Sequence, residues 1–301
     1  MNEKRESTTA KICSFARAMH SCSKCNKIFD DYLAFNMIGE KQMYYLQNII
    51  SECFTTEEQN KQGINFCVND WLNRYFTPII LSRSAFAEKR LEIFAKKYEH
   101  CQYVILGAGL DTFSFRNKNK NIRIFEVDHP STQMYKKSRL SELNWKIPEN
   151  VNFVSIDFES ENIKKLLYIK DFNKSLPTFF TILGVTYYIS FDIFENIIET
   201  ISQITDYDKE MIIDFPDETT YTNSNNRRAI VLSFITDLLG EKMKQGFSYS
   251  DIENMLNKHN FCIEEYLNPK EIQKVFFESR NNEQKAYENV CLIAAKYNKE
   301  V

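Results

Sequence analysis

Nine residues, Val104-Ile-Leu-Gly-Ala-Gly-Leu-Asp-Thr112, constrain this chain more than any other stretch. Gly107 and Gly109 are two of only seven glycines in 301 residues, and they follow directly on an apolar run, Gln102 to Leu106, that reads as a buried strand. A chain so sparing of glycine has a backbone reason for placing two together at a strand end. Tight strand-to-helix turns and backbones that approach a ligand closely both need residues without a Cβ. The stretch therefore predicts a nucleotide-type cofactor loop at the head of an open α/β sheet.

The pattern on either side supports that fold class. Through the first hundred residues apolar positions recur at helical spacing, over Ile12–Met19, Ile28–Ile38, Met43–Ile50 and Ile79–Phe94, with Pro78 suited to an early helical position. From Gln102 the rhythm changes to short β-rich runs: Gln102–Leu106, Ile122–Asp128, Val151–Asp157, Thr178–Leu183 and Glu210–Phe215. The intervals leave room for a crossover each time, as in a parallel, doubly wound sheet. Two last runs, Phe261–Tyr266 and Asn289–Ala295, are expected to add an antiparallel edge. The simplest partition is one domain over 1–301, with 1–100 a helical N-terminal cover and 101–301 a cofactor-binding α/β core.

Several classes are disfavoured. A net charge of −3 argues against a nucleic-acid phosphate backbone as main partner. The short basic pairs Lys96-Lys97, Lys136-Lys137, Lys164-Lys165 and Arg227-Arg228 read as solvent-facing. No apolar run nears the ~20 residues that cross a bilayer, and Met1–Glu6 lacks the apolar region of a secretory signal, so a cytoplasmic protein off the membrane is expected. Eight scattered cysteines form no framework and read as buried small hydrophobes. Cys22-Ser-Lys-Cys25, with His20 before it, lacks the second paired motif of a zinc site, and no metal is expected.

Three acids cluster at strand ends. Asp111 follows the Gly-x-Gly turn, Asp128 closes Ile122-Arg-Ile-Phe-Glu-Val-Asp128, and Asp157 closes Val151-Asn-Phe-Val-Ser-Ile-Asp157. Ligands of open α/β sheets bind beyond the carboxyl ends of the strands. There Asp128 is placed to accept hydrogen bonds from both hydroxyls of an adenosine ribose. Asp157 is placed for the adenine amino group, with Phe158 as an apolar wall. Each Asp alone would read as a turn former or helix cap. A dinucleotide fingerprint needs a third glycine where this chain has Thr112, and Asp111 would repel a pyrophosphate. A cofactor without phosphate and with cationic groups, S-adenosylmethionine, fits the loop better than NAD.

These motifs bring a family into view. Gln102-Tyr-Val-Ile-Leu-Gly-Ala-Gly-Leu-Asp-Thr112, then Phe125-Glu-Val-Asp-His-Pro130 followed by Lys136 or Lys137, resembles the leucine carboxyl methyltransferase-like family. Its bacterial branch comprises S-adenosylmethionine-dependent O-methyltransferases of polyketide-type biosynthesis. Ala16-Arg-Ala18, Phe29-Asp-Asp31, Arg83-Ser84, Gly184-Val-Thr-Tyr-Tyr188, Gly246-Phe247 and Asn260-Phe261 extend the likeness over most of the chain. The resemblance implies a class I methyltransferase fold, Rossmann-like, with a seven-stranded mostly parallel sheet and a reversed C-terminal hairpin. It implies that Arg83 holds the methionine carboxylate with help from Arg17, that the backbone of Gly107, Ala108 and Gly109 lies against the cofactor, and that Asp128 binds the ribose. One departure is Leu183, where many family members carry a Glu near the methionine moiety, so that compensation by Asp111 or a loss of catalysis enters as an alternative.

The activity these readings point to is in-line methyl transfer to a carboxylate or hydroxyl of a small-molecule acceptor. Tyr187 and Tyr188, just past the fourth strand, are the acceptor-side candidates; His129 reads as a turn residue or cofactor neighbour. The N-terminal helices are expected to roof the acceptor pocket, and the Asn223–Leu239 region to close it. The alternatives are a non-catalytic S-adenosylmethionine-binding or scaffold protein and, less well supported, a nicotinamide-dependent oxidoreductase.

Overall fold

In a computed structural model of the chain, the described residues are 6–24, 26–51, 64–169, 171–205, 207–222, 226–280 and 284–298. The strand that leads into the glycine loop, β1 (Cys101–Leu106), is buried at all six positions. That explains why it reads as a continuous apolar run: a parallel strand covered on both faces has no polar side to show. Beside it lie β2 (Ile122–Asp128) and β3 (Val151–Ser155) on one flank. On the other lie β4 (Thr178–Ile182) and β5 (Lys209–Pro216), both buried throughout. The sequence closes with β6 (Phe261–Leu267) and β7 (Val290–Tyr297), giving the order β3-β2-β1-β4-β5-β7-β6.

Only β7 runs against the rest, pairing antiparallel with both β5 and β6. The two final runs do not simply append an antiparallel edge. The last strand inserts between β5 and β6, and β6 becomes the edge. Its alternation of buried and exposed residues reflects one face left to solvent. The chain reverses from β2 to β3 on one side of β1 and from β4 onward on the other. The switch point therefore lies between the carboxyl ends of β1 and β4, next to Gly107.

The N-terminal cover consists of α1 (Thr8–Cys22), α2 (Ala34–Ile38), α3 (Glu40–Ser51), α4 (Ile64–Tyr75) and α5 (Thr77–Ala95). Ser7 caps α1 by accepting from the N–H of Ala10, and Pro78 opens α5 where its missing N–H is harmless. The expected helix over Ile28–Ile38 shrinks to α2, because the segment before it turns to bring Asp31 inside, and α4 is an addition to the helices read from periodicity. The loop residue Leu110 packs into the same apolar cluster as Phe15, Leu46 and Leu72, which binds cover to core. Further helices α6 (Phe113–Arg116), α7 (Pro130–Glu142), α8 (Phe191–Ile204), α9 (Arg227–Leu238), α10 (Tyr249–Lys258) and α11 (Pro269–Ile272) complete the layers. Among the described residues no helix is long and apolar enough to cross a membrane.

Two composition-level readings need correction. Lys136 does not face solvent: it is buried against Glu126, and Arg228 is largely covered, with its guanidinium 4.1 Å from the Tyr287 ring centre. Nor are all the cysteines buried; Cys101 and Cys291 are, Cys13 is half-buried, and Cys22 and Cys262 are exposed. The motif partner Cys25, together with Cys53 and the side chain of Cys67, lies outside the described residues.

Candidate active site

The glycine loop is stitched to the end of β2. The N–H groups of Gly107 and Ala108 both donate to the carbonyl of Val127, at 2.9 and 3.1 Å, and the N–H of Gly109 donates to Asp128 Oδ2 at 2.5 Å. Gly107 has φ +76°, and a Cβ there would stand 2.3 Å from Val185 Cγ2. The crowding that demands glycine at 107 thus comes from the turn after β4.

Below the loop is a buried ion pair. Lys136 Nζ contacts Glu126 Oε2 and donates to the carbonyl of Asp111 at 2.5 Å, while Ser114 Oγ donates to Glu126 Oε1 at 2.6 Å. Helix α7 and strand β2 in this way hold the far end of the loop. Asp111 accepts from the N–H of Phe113 at 2.6 Å. Burial alone would raise its pKa, but Arg17, Arg116 and Lys136 outweigh burial and hold it below the ordinary carboxylate value.

Asp128 accepts a second bond, from the N–H of His129 at 2.7 Å. Even so, burial pushes its carboxyl up to about 6. His129 itself caps α7, its Nδ1 2.8 Å from Ser131 Oγ. Asp157 is a turn former in its own loop, accepting from the N–H of Glu159 at 3.0 Å and from Ser160 Oγ at 3.1 Å. Phe158 packs half-buried against the sheet core.

The arginines are both engaged from behind. Arg17, on α1, donates to Asp31 at 2.9 Å and to the carbonyl of Leu110 at 2.9 Å. Arg83, on α5, pairs with Asp214 at 2.9 Å and reaches Cys13 Sγ at 3.7 Å. Tyr187 donates its hydroxyl to the same Asp214 carboxylate at 3.0 Å. Burial and the Asp214 charge hold that hydroxyl well above the ordinary tyrosine value. Tyr188 is likewise shifted upward, by burial and by the charge of Glu241.

Every one of these predicted positions lines a single cavity of about 470 Å³: Arg17, Arg83, Gly107, Ala108, Gly109, Asp111, Asp128, Asp157, Phe158, Tyr187 and Tyr188. That volume lies in the range, roughly 300–1,000 Å³, of pockets that enclose small ligands. Phe76, Ile79, Ile80, Leu183, Leu232 and Met243 add an apolar wall from α5, the turn after β4, α9 and the segment after it. Of the region expected to close the pocket, residues 223–225 lie outside the described residues, Leu232 lines the cavity, and Gly240 to Lys244 complete that side. Glu241 there accepts from the N–H groups of Thr8 and Thr9, at 2.5 and 3.2 Å, and from the Ser7 hydroxyl at 2.8 Å, tying the start of α1 across the cavity.

Asp214 and Glu241 are missing from the sequence reading, and Glu126 and Asp31 enter it only within motifs, without the partners Lys136 and Arg116. One of them left a signal. Asp214 sits one residue before the end of the fifth β-rich run, so the search for acids at strand ends that picked out Asp128 and Asp157 extends to it with one residue of latitude. Glu241 left none, because its partners lie over 230 positions away.

A sheet of this order with one reversed inserted strand, and a cavity over the switch point built from a glycine loop and strand-end acids, defines a class I methyltransferase-type α/β protein. The model of the leucine carboxyl methyltransferase family matches residues 10–202. A Bacillus subtilis (strain 168) protein named "Putative S-adenosyl-L-methionine-dependent methyltransferase YktD" is 34% identical over 306 residues, covering 98% of this chain and 99% of that one. The chain belongs to the leucine carboxyl methyltransferase family. A DUF574-family protein from Streptomyces avermitilis MA-4680, of known crystal structure, shares the fold at 10% identity and a TM-score of 0.55, covering 78% of this chain and 91% of that one.

Proposed function

We propose that this protein is an S-adenosylmethionine-dependent O-methyltransferase whose acceptor is a small apolar molecule bearing a carboxylate. One observation carries the reading: the glycine loop, Asp128, Asp111 and Arg83 line one cavity together with an apolar wall. S-adenosylmethionine, when bound, supplies a methyl group on a sulfonium, an already activated leaving group. Asp128 takes the ribose hydroxyls, Arg83 takes the methionine carboxylate with Arg17 beside it, and Asp111 faces the ammonium. The backbone from Gly107 to Gly109 bounds the ligand, and Asp157 and Phe158 flank the base.

The two acceptor-side tyrosines favour one acceptor class. A phenol or alcohol gains from a general base whose pKa lies near neutrality. Tyr187 and Tyr188 are both shifted away from that range. A carboxylate acceptor would arrive ionised and would need no proton removed by the protein before a sulfonium-borne methyl group could be transferred to it. Leu183, Ile79, Ile80 and Met243 line the same cavity and suit an apolar body behind it.

Calorimetry with S-adenosylhomocysteine and with NAD tests the cofactor; binding of NAD alone would sink the reading. Incubation with S-adenosylmethionine and matched panels of aromatic acids and phenols then tests the acceptor. Methyl esters are expected, while methyl ethers as the only product would overturn the carboxylate assignment. Tight S-adenosylhomocysteine binding with no turnover on either panel would favour the non-catalytic alternative that Leu183 raises.

A further inference from the structure

Asp214 is fully buried at the carboxyl end of β5 and gathers donors from two other elements. Its Oδ2 accepts from Arg83 Nη1 at 2.9 Å and from the Tyr187 hydroxyl at 3.0 Å; its Oδ1 accepts from the N–H of Gly184 at 2.6 Å. Its backbone carbonyl accepts from Thr186 Oγ1 at 2.7 Å, which adds a second tie to the turn after β4. That turn is shaped around the guanidinium. Gly184 has φ +71°, and a Cβ there would stand 2.7 Å from Arg83 Nη2. Among the described residues Asp214 is the only carboxylate within ion-pair distance of Arg83.

Asp214 does not line the cavity, whereas Arg83 does. Resting on the assignment of Arg83 made above, we infer that Asp214 is a positioning residue that aims Arg83 at the amino-acid end of the cofactor. An arginine on a flexible stem has five donors in a rigid planar fork, and fixing one edge of the fork orients the others. With one edge held by Asp214, the remaining donors are pre-set for a ligand carboxylate in the cavity. The pair is also neutral overall. It offers oriented donors without a net positive charge, which suits a zwitterionic amino-acid group better than a phosphate.

The test compares two ligands that differ only beyond the adenosine half. S-adenosylhomocysteine carries the amino-acid tail; 5′-methylthioadenosine lacks it. In Asp214→Asn the amide oxygen can still accept from Gly184, but its NH2 group faces the donors of Arg83 and Tyr187, and the guanidinium loses its fixed edge. Calorimetry is expected to show S-adenosylhomocysteine weakened by at least about tenfold, the loss of one charge-assisted bond, with 5′-methylthioadenosine unchanged. Arg83→Gln should weaken the same ligand selectively, and the double variant should be no weaker than Arg83→Gln alone. Equal weakening of both ligands by Asp214→Asn would make Asp214 merely structural and overturn the inference. So would an unchanged S-adenosylhomocysteine affinity in Asp214→Asn alongside a loss in Arg83→Gln. Should Arg83→Gln itself change nothing, the Arg83 assignment fails, while 5′-methylthioadenosine binding still reports separately on the adenosine site. Asp214→Glu, which keeps the charge and moves it, supplies the same two-ligand comparison if Asp214→Asn does not fold. Selective loss supports the inference and parallel loss refutes it.

Discussion

Asp128→Asn separates the two duties of the carboxylate at the end of β2. Burial raises the Asp128 carboxyl from 3.8 to about 6. A shift of about two units is worth at most about 3 kcal/mol at 1.36 kcal/mol per unit, a ceiling because the side chain is only half-buried. The sign follows from linkage. The folded carboxyl holds its proton more tightly than the unfolded one, so its stabilising contribution is complete below pH 3.8 and is lost as pH rises through 6. The asparagine removes that charge but must set its NH2 against the N–H of either Gly109 or His129. One unmet buried donor costs about 1–3 kcal/mol, which nearly offsets the relief. Stability at pH 7.5 should therefore change little.

Binding should respond differently. Ribose hydroxyls donate to the ionised carboxylate, so wild-type affinity for S-adenosylhomocysteine should strengthen from pH 5 to pH 7, by roughly tenfold for a group titrating near 6. Asp128→Asn should bind about 10- to 100-fold more weakly at pH 7.5, the equivalent of a charge-assisted bond of about 1.5–3 kcal/mol, and should lose the pH dependence. Calorimetry at pH 5, 6, 7 and 8 on both proteins measures this. An affinity within twofold of wild type at pH 7.5, or a retained pH slope, would refute the reasoning.

Two further substitutions probe the loop from opposite sides. Gly107→Ala forces a left-handed backbone on a residue with a Cβ, at about 1–2 kcal/mol, and drives that Cβ into Val185, at about 1–3 kcal/mol more. Chemical denaturation should show both losses on going from wild type to Gly107→Ala, and only the first on going from Val185→Ala to Gly107→Ala/Val185→Ala. Lys136→Met strands Glu126 without its cation and should cost about 3–5 kcal/mol by the same measurement. Burial already raises the Glu126 carboxyl and Lys136 opposes it, so the deficit should shrink as pH falls and Glu126 takes up a proton. A deficit that grows toward low pH would contradict the pairing.

Much of the core could be read from local pattern. The bounds of β2 match the expected run, and β1, β4 and β5 each fall within a residue or so of theirs, because strands covered on both faces are rich in apolar and β-branched residues. The cover was harder. Periodicity extends a helix back to Ile28, but Asp31 has to turn inward to meet Arg17 and Thr112, and the N–H of Ile28 bonds to His20 Nε2. Those contacts outweigh helix propensity, which is a weak prior against tertiary demands.

The same division runs through the site. By itself the sequence determined that a glycine turn ends the first strand and that an acid closes the second, whereas the third strand stops at Ser155 and leaves Asp157 in the loop beyond it. Both are consequences of backbone geometry and burial within a few residues. Only the tertiary structure decided why Gly107 must be glycine, since Val185 reaches it from another strand's turn. The structure also decided that Lys136 is a buried ion-pair partner, and that Arg83 meets Asp214 across 131 positions. Such pairs form because packing the sheet buries charges that then need each other, and no local pattern encodes which two will meet.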